Sequence, residues 1–145
     1  MAKNCVVPSN QRNRLFLFRR AFSVVKSCDK KELQSFIRSG NCFLIDVREQ
    51  MEVAQTGPVD RRALNIPLMD FVTDEDGSES LLLDRLDENE FLDEYGIEKP
   101  SFDDNIIFTC KAGSRSNMAA TFLLNKNSKY KSVFNYLGGA DDWFH

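Results

Sequence analysis

The run Asn105-Ile106-Ile107-Phe108-Thr109 constrains this chain more than any other feature. Three consecutive large apolar side chains show no 3.6-residue rhythm. A strand points successive side chains to opposite faces, so it buries all of them only where both faces are covered. Such a strand belongs in a parallel sheet flanked by helices. It runs straight into Cys110, and beyond Gly113 the residues Met118, Ala119, Phe122 and Leu123 mark one face of a helix to which Ala120 adds propensity.

The rest of the chain repeats this alternation. Asp29 and Glu32 have the spacing of a capping box, Leu33, Phe36 and Ile37 share a helical face, and Gly40 is placed to end the helix, which predicts a helix over 29–39. Cys42-Phe43-Leu44-Ile45 is a second doubly buried strand, ending in Asp46-Val47-Arg48-Glu49. Met51 to Gln55 reads as a short helix or turn stopped at Gly57-Pro58, and Ala63-Leu64-Asn65-Ile66-Pro67 as a brief strand halted by proline. The acidic middle third repeats the capping spacing at Asp87 and Glu90, with Leu86, Phe91, Leu92 and Tyr95 as the apolar face and Gly96 as the stop. Ser132 to Tyr136 is a last strand, followed by Gly138-Gly139 and a terminal turn holding Trp143. The pattern predicts an α/β fold, its sheet covered on both faces, with ligands beyond the carboxyl ends of the strands.

Charge is unevenly distributed. Residues 1–28 hold six of the 19 basic side chains and none of the 22 acidic ones. Wound as a helix, the stretch from Arg12 to Lys26 separates Arg12, Arg19, Arg20 and Lys26 from Leu15, Leu17, Phe18, Phe22, Val24 and Val25, although Arg14 and Phe16 break the pattern. An Arg-rich, acid-free, amphipathic start is the pattern of a mitochondrial presequence. The competing readings are a solvated basic tail or an extra packed helix, with a cytoplasmic address. The remaining residues, 29–145, form the expected domain. A net charge of −3 excludes the basic balance of a nucleic-acid binder, and apolar runs such as Leu15 to Phe18 and Leu81 to Leu83 are far shorter than the roughly 20 residues that span a bilayer. Partnership with nucleic acid or membrane is therefore not expected. The four cysteines have no C-x-x-C spacing, which suits neither a disulfide framework nor a zinc site and points to a reducing compartment.

Cys110 sits where the clearest strand delivers the chain to a helix N-terminus, whose free amides carry roughly half a positive charge. Gly113 permits the backbone to curl successive amides around one point, and Lys111 and Arg115 add formal charge. A free cysteine is only a few per cent thiolate at neutral pH, and two or three hydrogen bonds to a charged sulfur supply the roughly 2 kcal/mol that shifts the balance. Cys110 is therefore the expected nucleophile, whereas Cys42 and Cys28 read as ordinary buried thiols. His145 is the one histidine and lies at the last position, so the loop rather than an imidazole must do the activating.

Four segments together resemble the single-domain rhodaneses, the thiosulfate sulfurtransferase-like proteins. They are Leu44-Ile45-Asp46-Val47-Arg48, Ala63-Leu64-Asn65-Ile66-Pro67, the loop Cys110-Lys111-Ala112-Gly113-Ser114-Arg115, and the ending from Gly138-Gly139 to Trp143, in the family's order across 29–145. The resemblance implies a rhodanese-like three-layer α/β domain with a mostly parallel central sheet and helices on both faces. It implies a ping-pong reaction, in which Cys110 takes the sulfane sulfur of a donor such as thiosulfate and passes it from a persulfide to a thiol or cyanide. The implied partners are a small sulfur donor and a thiol acceptor, with no cofactor and no metal. Lys111, Ala112, Gly113, Ser114 and Arg115 would form the persulfide-binding loop, with Lys111 and Arg115 on the donor's oxyanion. Asp46 would brace the loop by hydrogen bonds and Arg48 would assist with substrate; a surface ion pair at a strand end is the competing reading of these two. Trp143 and the paired glycines are expected to be structural. The family's usual stretch before Asn-Ile-Pro is replaced by Gly57-Pro58-Val59-Asp60-Arg61-Arg62.

Two other functions fit the same fold. Certain phosphatases and arsenate reductases share the cysteine-to-arginine cradle, but enclose a tetrahedral oxyanion with five residues between the two, whereas Cys110 and Arg115 have four. Rhodanese-like domains without a working cysteine serve as binding modules, a role that Cys110 and its neighbouring cations argue against.

Overall fold

The computed structural model describes residues 24–145. All but the last three positions of the amphipathic stretch Arg12 to Lys26 lie outside the described residues. Five strands form one sheet in the order β1-β5-β4-β2-β3: β1 (Lys26–Cys28), β2 (Phe43–Asp46), β3 (Leu64–Asn65), β4 (Asn105–Thr109) and β5 (Ser132–Tyr136). Every neighbouring pair is parallel, so all carboxyl ends lie along one edge.

The helices follow from local sequence. Helix α1 (Lys30–Ser39) starts on a complete Asp29/Glu32 capping box and ends on Gly40, whose φ of 69° is left-handed. Helix α2 (Gln50–Thr56) starts on the reciprocal pair Glu49 and Glu52. Two short helices, α3 (Leu68–Val72) and α4 (Leu82–Arg85), precede α5 (Glu88–Tyr95), which is capped by Asp87 and Glu90 as the spacing predicts. Helix α6 (Ser114–Lys126) follows the cysteine loop, and α7 (Gly139–Trp143) closes the domain.

Alternation along the strands divides the core in two. Ile45, Ile106, Phe108 and Val133 meet Phe71, Phe91, Ala119, Ala120 and Leu123 on one face. Leu44, Ile107, Cys28 and Tyr136 meet Leu33, with Phe36 and Trp143 packed against them, on the other. Phe108 and Phe71 pack edge to face with ring centres 5.2 Å apart. Val59 joins the α1 side, and Arg62 donates to the carbonyl of Ile37 at 2.7 Å, so the atypical segment before β3 packs against α1.

Three expectations need correction. The buried face of α6 is Ser116, Ala119, Ala120 and Leu123, whereas Met118 is 60% exposed. Small residues line that face and bring α6 close to the sheet. Leu92 is also exposed, one helical step away from the buried Phe91 that anchors α5. Strand β1 comes from the basic N-terminal segment, which the sequence reading set apart from the domain: Lys26, Ser27 and Cys28 pair with Phe134, Asn135 and Tyr136. Among the described residues, no helix is long and apolar enough to cross a membrane.

Cys28 is fully buried on the α1 face, so a chain beginning at Val24 is expected to exceed one beginning at Asp29 by about 2 kcal/mol in stability, the scale of one buried apolar side chain plus an edge-strand pairing. Guanidinium unfolding of the two chains measures the difference. Equal midpoints would show that β1 adds nothing to the sheet.

Candidate active site

The site forms where β4 hands the chain to α6. The carbonyls of Cys110 and Lys111 are turned toward α7, where they accept the N–H groups of Ala140 and Asp141 at 2.8 and 3.0 Å. This approach requires Gly139, whose backbone is left-handed at φ 63° and where a Cβ would overlap both carbonyls. Gly113 has φ 96°, and a Cβ there would overlap the carbonyl oxygen of Leu137. With the carbonyls facing away, the amides converge on the sulfur.

Cys110 is 1% exposed, yet its Sγ is surrounded by donors. The Gly113 N–H reaches it at 3.1 Å and the Ser116 N–H at 3.3 Å, and the Ser116 hydroxyl lies 3.2 Å away. Burial opposes the thiolate, but the Ser116 hydroxyl, the Ser116 and Gly113 amides and the Ala112 amide outweigh it, leaving the Cys110 thiol below its ordinary range. The other cysteines move the opposite way. Burial, with Glu32, Asp29 and Cys42 adding to it, pushes the Cys28 thiol up to about 12, and burial raises Cys42 as well.

Ser116 is tied in turn to Asn135 of β5. Its hydroxyl donates to Asn135 Oδ1 at 2.5 Å, and Asn135 Nδ2 donates to the Gly113 carbonyl at 3.0 Å, which fixes the amide's orientation. The hydroxyl has one hydrogen. While it serves Asn135, its oxygen accepts from the Cys110 S–H; once that proton leaves, the hydroxyl can turn its hydrogen to the sulfur.

Both cations of the loop are met by carboxylates. Arg115 forms a two-pronged pair with Glu52 of α2, Nη1 to Oε2 at 2.7 Å and Nη2 to Oε1 at 2.8 Å. Its hydrogen bonds hold the Glu52 carboxyl down at about 2, so that carboxylate is charged at neutral pH. Lys111 pairs with Asp141 at 3.1 Å, more exposed to solvent. Ala112 and Ser114 are exposed.

Asp46 and Arg48 are an ion pair, as one reading expected, but a buried one rather than a surface one. Arg48 is 1% exposed, and its Nε and Nη2 engage the Asp46 carboxylate, the latter at 2.7 Å. Its Nη1 donates to Thr56 Oγ1 at 2.8 Å, and Nη2 donates also to the Gly57 carbonyl at 3.2 Å. Arg48 is thus turned to the end of α2. Asp46 braces Arg48 by its side chain, while the strand end meets β4 through the Val47 N–H and the Thr109 carbonyl. By tying down the end of α2, Arg48 also steadies the helix that carries Glu52.

Of the sequence-derived loop residues, Gly113 and Ala112 offer their amides to Cys110 while Lys111 and Arg115 are turned to carboxylates, and three unforeseen residues join the site: Ser116, Asn135 and Glu52. Asn135 carried a usable signal, a buried amide in the strand run Ser132–Tyr136. Ser116 and Glu52 carried none in isolation.

Comparison with known proteins agrees with the fold. The model of the rhodanese-like domain matches residues 29–145. The mouse thiosulfate sulfurtransferase/rhodanese-like domain-containing protein 3 is 34% identical over 121 residues, covering 83% of this chain and 69% of that protein. A putative mitochondrial thiosulfate sulfurtransferase of Schizosaccharomyces pombe is 34% identical over 100 residues, 69% of this chain and 61% of that protein. The human single-domain sulfurtransferase TSTD1 superposes with a TM-score of 0.68 at 27% identity, over 83% of this chain and 96% of that structure.

Replacing Ser116 by Ala removes the hydroxyl and keeps the backbone amide. The thiolate absorbance of Cys110 is then expected to titrate at higher pH, and alkylation at neutral pH to slow roughly tenfold, the worth of one hydrogen bond to a charged group. An unchanged pH profile in Ser116→Ala would assign the activation to the amides alone.

Proposed function

The chain belongs to the rhodanese-like family of sulfurtransferases, and from that membership we propose that Cys110 carries sulfur as a persulfide between a small donor and a thiol acceptor. One observation supports this above the others: Cys110 is the described cysteine whose thiolate is favoured although it is buried. Thiosulfate illustrates the first half-reaction. The Cys110 thiolate attacks the outer sulfur, a new S–S bond forms, the bond to the oxidised sulfur breaks, and sulfite leaves with the electron pair. In the second half, an acceptor thiolate or cyanide attacks the terminal sulfur, and Cys110 departs as thiolate. No electrons are gained or lost overall. The same amides and the Ser116 hydroxyl that stabilise the thiolate suit the persulfide anion. Lys111, Ala112, Gly113, Ser114 and Arg115 form the binding loop, with Asp46 and Arg48 supporting it through α2. The four residues between Cys110 and Arg115 suit one sulfur atom better than a phosphate.

Intact-mass spectrometry after incubation with thiosulfate is expected to show one added sulfur, absent in Cys110→Ser and discharged by cyanide as thiocyanate. No adduct would favour a binding module. Faster release of phosphate from an aryl phosphate would favour the phosphatase chemistry.

The domain proposed is 29–145 together with the edge strand β1, and the segment before it a mitochondrial address. The acid-free basic residues 1–28 and the mitochondrial name of the fission-yeast relative support that address. Because Lys26 already pairs in the sheet, any processing cut that keeps the fold intact falls before it. Residues 1–28 fused to a fluorescent reporter are expected to bring it to mitochondria, and a diffuse cytosolic signal would refute the address.

A further inference from the structure

The guanidinium of Arg115 is a ready-made receptor for an oxyanion, since its two parallel N–H groups match a pair of oxygens on carboxylate or sulfonate. In this molecule Glu52 already occupies both prongs, at 2.7 and 2.8 Å. Glu52 is itself held. Its Oε2 accepts the Glu49 N–H at 2.8 Å, and the helix that carries it is fastened at its far end by Arg48 through Thr56 and Gly57. The carboxylate is a built part of the site and not a side chain that happens to lie nearby.

The placement matters because Cys110 is 1% exposed while the side chains of Arg115 and Glu52 are 31% and 30% exposed. The transferred sulfur has to reach a buried nucleophile, whereas this pair is open to solvent. Arg115 lies in the first turn of α6, five residues after Cys110, and the Cys110 charge adds to the Glu52 bonds in raising the arginine, so the nucleophile and the pair feel one another. Lys111, the other cation of the loop, is paired with Asp141. A dianion arriving with its sulfonate oxygens beside its outer sulfur must displace Glu52 or bind against its charge. A thiol persulfide carries no oxyanion next to its outer sulfur and needs no such displacement.

We propose that Glu52 is a specificity-determining residue, which fills the oxyanion fork of Arg115 and so favours thiol persulfides over thiosulfate as sulfur donors. The proposal rests on the sulfurtransferase reading above. Its loading step is balanced without an oxidant: the Cys110 thiolate attacks the outer sulfur of R–S–SH, a Cys110 persulfide forms, and the donor leaves as the thiolate R–S⁻. Glu52 touches no reacting atom and acts through Arg115.

The test measures sulfur loading of Cys110 in the full chain, by intact mass in single turnovers, with thiosulfate and with cysteine persulfide as probes. Glu52→Gln keeps an acceptor for the Glu49 amide and removes the charge. It is expected to raise the thiosulfate loading constant about fivefold to tenfold, the worth of a partly exposed ion pair in good geometry, mainly by tighter binding and not by a faster limiting step. The preference for the persulfide falls by the same factor, and the gain shrinks as salt is added. Glu52→Asp, one methylene shorter, gives a smaller gain. In Glu52→Gln/Arg115→Gln the gain disappears, because it is carried by the freed guanidinium. If thiosulfate loading is unchanged or falls in both single variants while the wild type loads normally, the role of Glu52 is refuted and the sulfurtransferase reading stands. If the wild type loads from neither donor, both are refuted.

Discussion

Two backbone hydrogen bonds decide what the Cys110 loop can be. The Ala140 and Asp141 amides draw the carbonyls of Cys110 and Lys111 toward α7, and a peptide unit whose carbonyl points one way presents its N–H the other way. The amides that follow are thereby left to meet at the sulfur. Gly139 and Gly113 are required at the two points of closest approach, the first against the loop's carbonyls and the second against Leu137. The loop is thus built from both ends of the chain's last third: β4 and α6 supply its limbs, and the β5 to α7 turn supplies its floor. The parallel sheet brings these turns to one edge, which is why a five-residue helix at the end of the chain has a part in the chemistry of Cys110.

Burial alone does not determine how a thiol titrates. Cys28 and Cys110 are almost equally hidden from solvent, yet one is pushed up to about 12 and the other is drawn down. Cys28 has two carboxylates near it and its sulfur faces the carbonyl of Asp29 at 3.5 Å, an acceptor that can only favour the protonated form. Cys110 has amide donors and a hydroxyl that can reverse its role. The difference lies in what surrounds each sulfur: burial and carboxylates for Cys28, and for Cys110 a hydroxyl and the amides that the strand-to-helix turn supplies.

The parts that were legible in the sequence are those whose causes are local. Capping pairs at 29/32 and 87/90, the stops at Gly40 and Gly96, and the doubly buried strands around Ile45 and Ile107 each follow from side chains within a few residues of one another. The cysteine, its glycine and its cations were legible for the same reason. What those cations do was not, because their partners are 63 and 30 residues away. The burial of the Asp46–Arg48 pair was not legible, since the rule that charged side chains stay outside fails when one carboxylate, one hydroxyl and one carbonyl together satisfy a guanidinium. Strand β1 escaped because three residues, Lys-Ser-Cys, have too little pattern to register and sit in a segment dominated by its basic charge. The face of α6 was displaced by a weighting toward large side chains, where contact with the sheet is made by alanines and a serine.

A site that has to hold an anion would be expected to gather positive charge, but here each cation of the loop is matched by a carboxylate. The stabilisation of the sulfur comes instead from neutral donors, the amides and the Ser116 hydroxyl, which act at contact and in a buried setting where they are strongest. This division has a physical logic. A bare cation at the rim would favour the thiolate, but it would also attract every small anion in solution toward the sulfur. Pairing Arg115 with Glu52 removes that long-range attraction while leaving the short-range donors in place, so that selection among donors passes from net charge to whether a group can displace a fixed carboxylate from a fork it fits well. Arg48, itself buried, takes part in this by fixing the end of the helix on which Glu52 rides.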